Sequence, residues 1–100
     1  MASSILRTVT IPNGTTPTNS FRIGSAEQGS FSTPAAITGA TLQQQFSNNG
    51  TNWTAVGSAV SVTANNTYPM HVDMFKARFG RLVSASNEAA ARVITLSLKF

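Results

Sequence analysis

The chain has 100 residues, with 7 Lys or Arg against 3 Asp or Glu for a net charge of +4, one histidine and no cysteine. That length fits one domain, residues 1–100, with a single core large enough to need no staples. The missing thiols exclude disulfides and thiolate metal sites, and a lone His71 with three scattered acids suggests no enzyme class, no cofactor and no multi-histidine metal centre.

Charged residues make up 10% of the chain, well below the roughly 25% of ordinary soluble domains. Ser, Thr, Asn and Gln carry the polarity instead, which suits a surface that is wet but weakly charged. The bases Arg7, Arg22, Lys76, Arg78, Arg81, Arg92 and Lys99 are spread along the sequence. A nucleic-acid binder more often clusters them among exposed aromatics, so no nucleic-acid partner is expected. The start, MASSILRTVTIPNG, lacks the apolar stretch of a secretory signal, and no run approaches the ~18 apolar residues of a membrane helix. Synthesis in a cytoplasm and no membrane partner are the expectations.

In chain order, Ile5 to Ile11 alternates β-branched and polar residues as a strand does, and Pro12-Asn13-Gly14 ends it. Residues 1–8 form either the beginning of this strand or an arm. TTPTN follows as a loop, then SFRIGS as a short strand with Phe21 and Ile23 on one face. Phe31 suits a strand that Pro34 ends or holds at an edge. Leu42, Gln44 and Phe46 point one way and Thr41, Gln43 and Gln45 the other. Asn49-Gly50 signals a hairpin, because both residues accept positive φ, and the alternation resumes after Trp53. Ala59–Ala64 reads as a further strand with Val60, Val62 and Ala64 inward. Tyr68 to Val72 reads as an edge strand marked by Pro69. Asp73 to Ala77 is the best helical segment, one turn with Asp73 as its cap. Phe79–Ser84 is a strand in which Gly80 marks either a bulge or a close approach of backbone. ASNEAAA is too short to hold a helix and reads as a loop. RVITLSLKF is the clearest strand, with Ile94, Leu96, Leu98 and Phe100 inward and a central place in its sheet. Seven or eight closely spaced strands without crossover helices predict an all-β fold, a β-sandwich or jelly-roll-like barrel.

Few residues invite chemistry. His71 and Asp73 share a face if strand-borne, but no Gly-x-Ser-x-Gly elbow accompanies them. Neither a Ca²⁺ loop nor a converging carboxylate pair is written in the sequence. Asn48, Asn49, Asn52 and Trp53 combine amides with an aromatic face, as a sugar-binding loop does. A hairpin tip with Trp53 packed beside the core is the plainer expectation, since a lone Trp near a turn is more often packing than a ligand platform. Asn-x-Ser/Thr matches such as Asn13-Gly-Thr carry no weight without a secretory signal. Short polar arms and loops order on neighbouring subunits in many assemblies, which singles out Arg7, and then Arg22 with the loop around Pro17, as interface candidates.

From position 33 onward the motifs resemble a family of small β-sandwich proteins encoded among tailed-bacteriophage virion genes. The matching places are Thr33-Pro34-Ala35, Ser47 to Gly50, Trp53, Asp73, Phe75, Arg81-Leu82, and Ala90-Ala91-Arg92 through Leu96. The chain departs at Asn49, where an Asp is usual before the glycine, which keeps the turn but argues against a charge there. The resemblance implies a virion structural protein rather than an enzyme. It would be a decoration or cement protein on the capsid surface, bound to the major capsid protein and assembled as a homo-oligomer, a trimer first. The alternative it leaves is a receptor- or carbohydrate-binding module of a tail or head fibre, using the 48–53 loop.

Overall fold

The computed structural model of the chain describes residues 4–100, so the first three residues of the expected arm lie outside the described residues. Eight strands appear: β1 (Ser4–Ile11), β2 (Phe21–Arg22), β3 (Gln28–Ser32), β4 (Thr41–Ser47), β5 (Thr54–Ser61), β6 (Thr67–Pro69), β7 (Phe79–Ser84) and β8 (Arg92–Lys99), with a 3₁₀ turn at Val72–Lys76 before β7. They form two four-stranded sheets in the orders β1-β8-β3-β6 and β2-β7-β4-β5, and every pairing is antiparallel.

The pairs β4–β5, β3–β6, β2–β7 and β1–β8 nest inside one another. The chain therefore behaves as one long hairpin wrapped across two sheets, which is the jelly-roll arrangement of a β-sandwich. Two facing sheets, rather than a closed barrel, result. β8 takes the central place its uninterrupted alternation predicts, between β1 and β3. Its Ile94, Leu96 and Leu98 are fully buried.

The core lies between the sheets, as period-two side chains dictate. Val9, Ile11, Phe31, Ile94, Leu96 and Leu98 come from one sheet and Phe21, Leu42, Val56 and Leu82 from the other, joined by Met70 and by Met74, the buried residue of the 3₁₀ turn. Each fully buried aliphatic contributes about 1.5–3 kcal/mol by leaving water. Gly80 confirms its expected close approach: a β-carbon there would lie 2.6 Å from Phe21 Cζ and 2.8 Å from Met74 Cε. Gln44 shares the inward face of β4, and its Oε1 accepts the His71 N–H at 2.7 Å, so its burial leaves no carbonyl oxygen unpaired.

Four local expectations are corrected. Ala59–Ala64 is not a separate strand. β5 runs from Thr54 through Ser61 and bends at Gly57 (φ 66°), where the register against β4 shifts. Residues 62–64 leave the sheet with Val62 buried and Ala64 half-buried. The strand expected at Tyr68–Val72 spans only Thr67–Pro69, because Val72 already belongs to the 3₁₀ turn. That turn is capped by His71, whose Nδ1 accepts the Asp73 N–H at 3.1 Å, and Asp73 sits inside it rather than at its cap. Last, the loop around Pro17 is no free arm. Thr16 O accepts from Ser84 N, Thr18 N donates to Leu82 O, and Pro17 bridges Val83, so the segment lies against β7.

Candidate interaction sites

The β4–β5 tip is built by its own side chains. Gly50 takes φ 75°, a conformation that costs glycine nothing. Ser47 Oγ accepts the N–H groups of Asn49 (3.2 Å) and Gly50 (2.9 Å), while Asn49 Oδ1 accepts those of Thr51 and Asn52, each at 2.9 Å. Ser47 also donates its hydroxyl to Asn49 Oδ1. Asn49 is therefore spent on the turn. Asn48, Asn49 and Asn52 still line a shallow cavity of about 210 Å³ together with Phe46, Ser47 and Thr54.

Trp53 does not join them. Its ring lies under the Arg81 guanidinium, 4.6 Å from carbon to centroid. Arg81 alternates with buried Gly80 and Leu82, so it projects from the outer face of its sheet, where its Nε donates to Gln45 Oε1 at 2.7 Å. The expected packing of Trp53 beside the core is thus overturned: it is half-buried beneath a cation outside the sandwich. The predicted ligand loop splits into an amide-lined cavity and a stacked Trp–Arg pair, and the aromatic at the cavity is Phe46.

The interface candidates also separate. Arg7 is exposed on β1, at the edge of one sheet. Arg22 is exposed on β2, at the edge of the other, and with Arg78, Lys76 and the half-buried Phe75 it borders a cavity of about 270 Å³. Lys76 is paired with Asp73 at 2.8 Å. That hydrogen bond lowers the Asp73 pKa against a smaller desolvation effect and raises that of Lys76. His71 Nδ1 is 3.8 Å from Asp73 Oδ2, beyond hydrogen-bonding reach, and it is occupied as the turn's cap. The pair has the geometry of a turn end.

The chain's most constrained ionisable group was missed in the sequence. Glu88, in the ASNEAAA loop, is 1% exposed. Its carboxylate accepts from Thr38 N (2.7 Å), Gly39 N (2.9 Å), Ser84 Oγ (2.7 Å) and Arg92 Nε (3.0 Å). Burial opposes ionisation, but the bonds from Thr38, Ser84, Gly39 and Arg92 overcome it and hold the pKa at about 2. Its backbone ties in the 12–19 loop as well, through Gly14 N to Glu88 O and Glu88 N to Thr15 O. Every bond of this carboxylate is satisfied from within the chain, so it clasps three loops and presents nothing to a ligand. The one available signal was the four-residue spacing from Glu88 to Arg92 in an otherwise uncharged loop.

No family model and no curated protein matches the chain. Among solved structures, the crystal structure of the SPBc2 prophage-derived protein YomS has the same fold, with a TM-score of 0.73 at 10% identity over 100% of this chain and 96% of that one.

Proposed function

We propose that the protein is a bacteriophage structural protein that decorates the capsid and stabilises it through contacts with the major capsid protein, without catalysing a reaction. The observation that carries this reading is the end-to-end agreement of its fold with a prophage-derived protein of nearly the same extent. The jelly roll supports it, since this architecture recurs in viral capsid proteins, and so do the motifs shared with virion sandwiches from Thr33 onward. A cement binds surface that only the assembled shell offers, so its binding free energy adds to the stability of that shell. Arg7 and Arg22, exposed on the two sheet edges, are the contacts assigned to it.

The test is a mass-spectrometric copy count in purified virions. Hundreds of copies, and loss of capsid retention in the Arg7→Glu/Arg22→Glu variant, are the expected results. A dozen copies or fewer would move the protein to a fibre or connector. The cavity bordered by Asn48, Asn49 and Asn52 favours a second reading, a glycan-binding module on a fibre. Under that reading Asn52→Ala abolishes glycan binding, whereas Trp53→Ala, on the outer face, does not.

A further inference from the structure

A sandwich of two open sheets has four edges, and each is a template for another strand unless something blunts it. Three are blunted here. β6 has three residues and contains Pro69. β2 has two residues and continues into the segment held at Pro17. β5 is bent by the Gly57 bulge. β1 is different: eight residues in unbroken register against β8, with no proline, glycine or bulge.

The direction of its backbone groups follows from one contact. Thr10 N donates to Asn19 Oδ1 and Thr10 O accepts from Asn19 N, so the Thr10 groups point away from β8. Alternation then turns the N–H and C=O of Ser4, Leu6 and Thr8 outward as well. Among the described residues these groups have no hydrogen-bond partner. The same stretch holds two of the chain's exposed large hydrophobics, Leu6 at 73% and Ile5 at 42%. Ile5 and Arg7 lie on the core side of the sheet, in line with Val9, yet are exposed, so the opposite sheet does not cover them.

We propose that this edge is a self-association surface, on which β1 of a second copy of the chain pairs antiparallel across a two-fold axis at Leu6. Among the described residues the outward groups are placed symmetrically about that residue. Leu6 meets Leu6 of the second copy, Ser4 meets its Thr8, and Thr8 meets its Ser4, so all of them are paired. In this register the strand's one charge, Arg7, stands opposite Ile5 of the second copy. A register centred on Arg7 would set two guanidinium groups face to face, and one centred on Ile5 would leave Thr8 with no partner among the described residues. The result is a continuous eight-stranded sheet through two copies. It is a two-fold dimer, since three copies cannot share one antiparallel edge contact each with both neighbours. The inference stands independently of the virion reading.

Such an edge contact is small, so the dimer is weak, with a dissociation constant on the order of micromolar or above. Both copies carry +4, so raising the salt strengthens it by screening their repulsion. Sedimentation equilibrium from roughly 5 to 500 µM, the range in which so small an interface changes state, tests the proposal. The full chain is expected to pass from monomer to dimer. Leu6→Pro removes an outward donor and no bond to β8, so the variant stays folded by circular dichroism while dimerisation weakens at least about tenfold. The chain is free of cysteine, so Leu6→Cys should oxidise to a disulfide-linked dimer while Thr8→Cys alone should not. A monomer at every concentration, a dimer or trimer untouched by Leu6→Pro, or equal cross-linking at positions 6 and 8 would each overturn it.

Discussion

The two ends of β4 use the same kind of polar residue in opposite ways. At Thr41 the strand leaves a clasp in which Glu88 holds groups from residues 50 and 49 positions away, Thr38 and Gly39, as well as Ser84 and Arg92. At Ser47 it enters a tip whose bonds span two or three residues, from Ser47 and Asn49 to the next backbone N–H groups. The first end consumes its polarity in joining loops distant in sequence. The second consumes only what the turn needs and leaves the Asn48 and Asn52 amides at the surface. Polar composition alone does not mark a binding site; what matters is whether the hydrogen bonds are already spent.

The largest test of that contrast is Glu88→Ala. It strips four donors of their acceptor and leaves Arg92, 16% exposed in its side chain, without a counter-charge. Breaking a buried pair on one side costs about 3–5 kcal/mol, which a denaturant titration will read as a large fall in midpoint. Acid probes the same clasp without mutation. Glu88 titrates at about 2 when folded, below its ordinary 4.5. The stabilisation is therefore complete above pH 4.5 and is lost as the pH falls toward 2, by about 3 kcal/mol in all. In Glu88→Gln that step should flatten, and an unchanged acid profile would show that the clasp does not carry the stability assigned to it. At the other end Asn49→Ala frees two backbone N–H groups to water. The expected cost is about 1 kcal/mol, the scale of a lost helix cap, with the rest of the sandwich unchanged by hydrogen exchange.

The fold was legible because alternation is a local code. RVITLSLKF keeps its alternation throughout, and LQQQFS keeps it as far as Gln45, before half-buried Phe46 and buried Ser47 break it at the tip. Gly80 and Asn49-Gly50 could be read for the same reason: one needs space and the other a turn, and each states it alone. What escaped was non-local. Nothing in ASNEAAA says that its carboxylate will meet Thr38 and Gly39, because that meeting depends on how the nested strands bring three loops together. Gly39 belongs with it, since a β-carbon there would strike Ser84 Oγ, a requirement invisible until Glu88 is placed. The cap at Val72–Lys76 was misread for a smaller reason. An aspartate beside a short helical run is the ordinary signal, but the imidazole of His71 stands two residues earlier and takes the Asp73 N–H.

Trp53 gives the smallest expected effect and separates the tip's two halves. Its ring lies on the outer face under Arg81 rather than in the buried cluster, so truncation loses a partly exposed cation–π contact worth about 0.5–1 kcal/mol instead of the 3–5 kcal/mol of a core aromatic. Arg81→Ala should cost a similar amount, plus its bond to Gln45. The double variant should lose less than the two single changes added together, because each has already removed the shared contact. A Trp53→Ala loss beyond about 3 kcal/mol, the cost of emptying a core site, would return the ring to the interior and place the whole 48–53 segment among the structural loops.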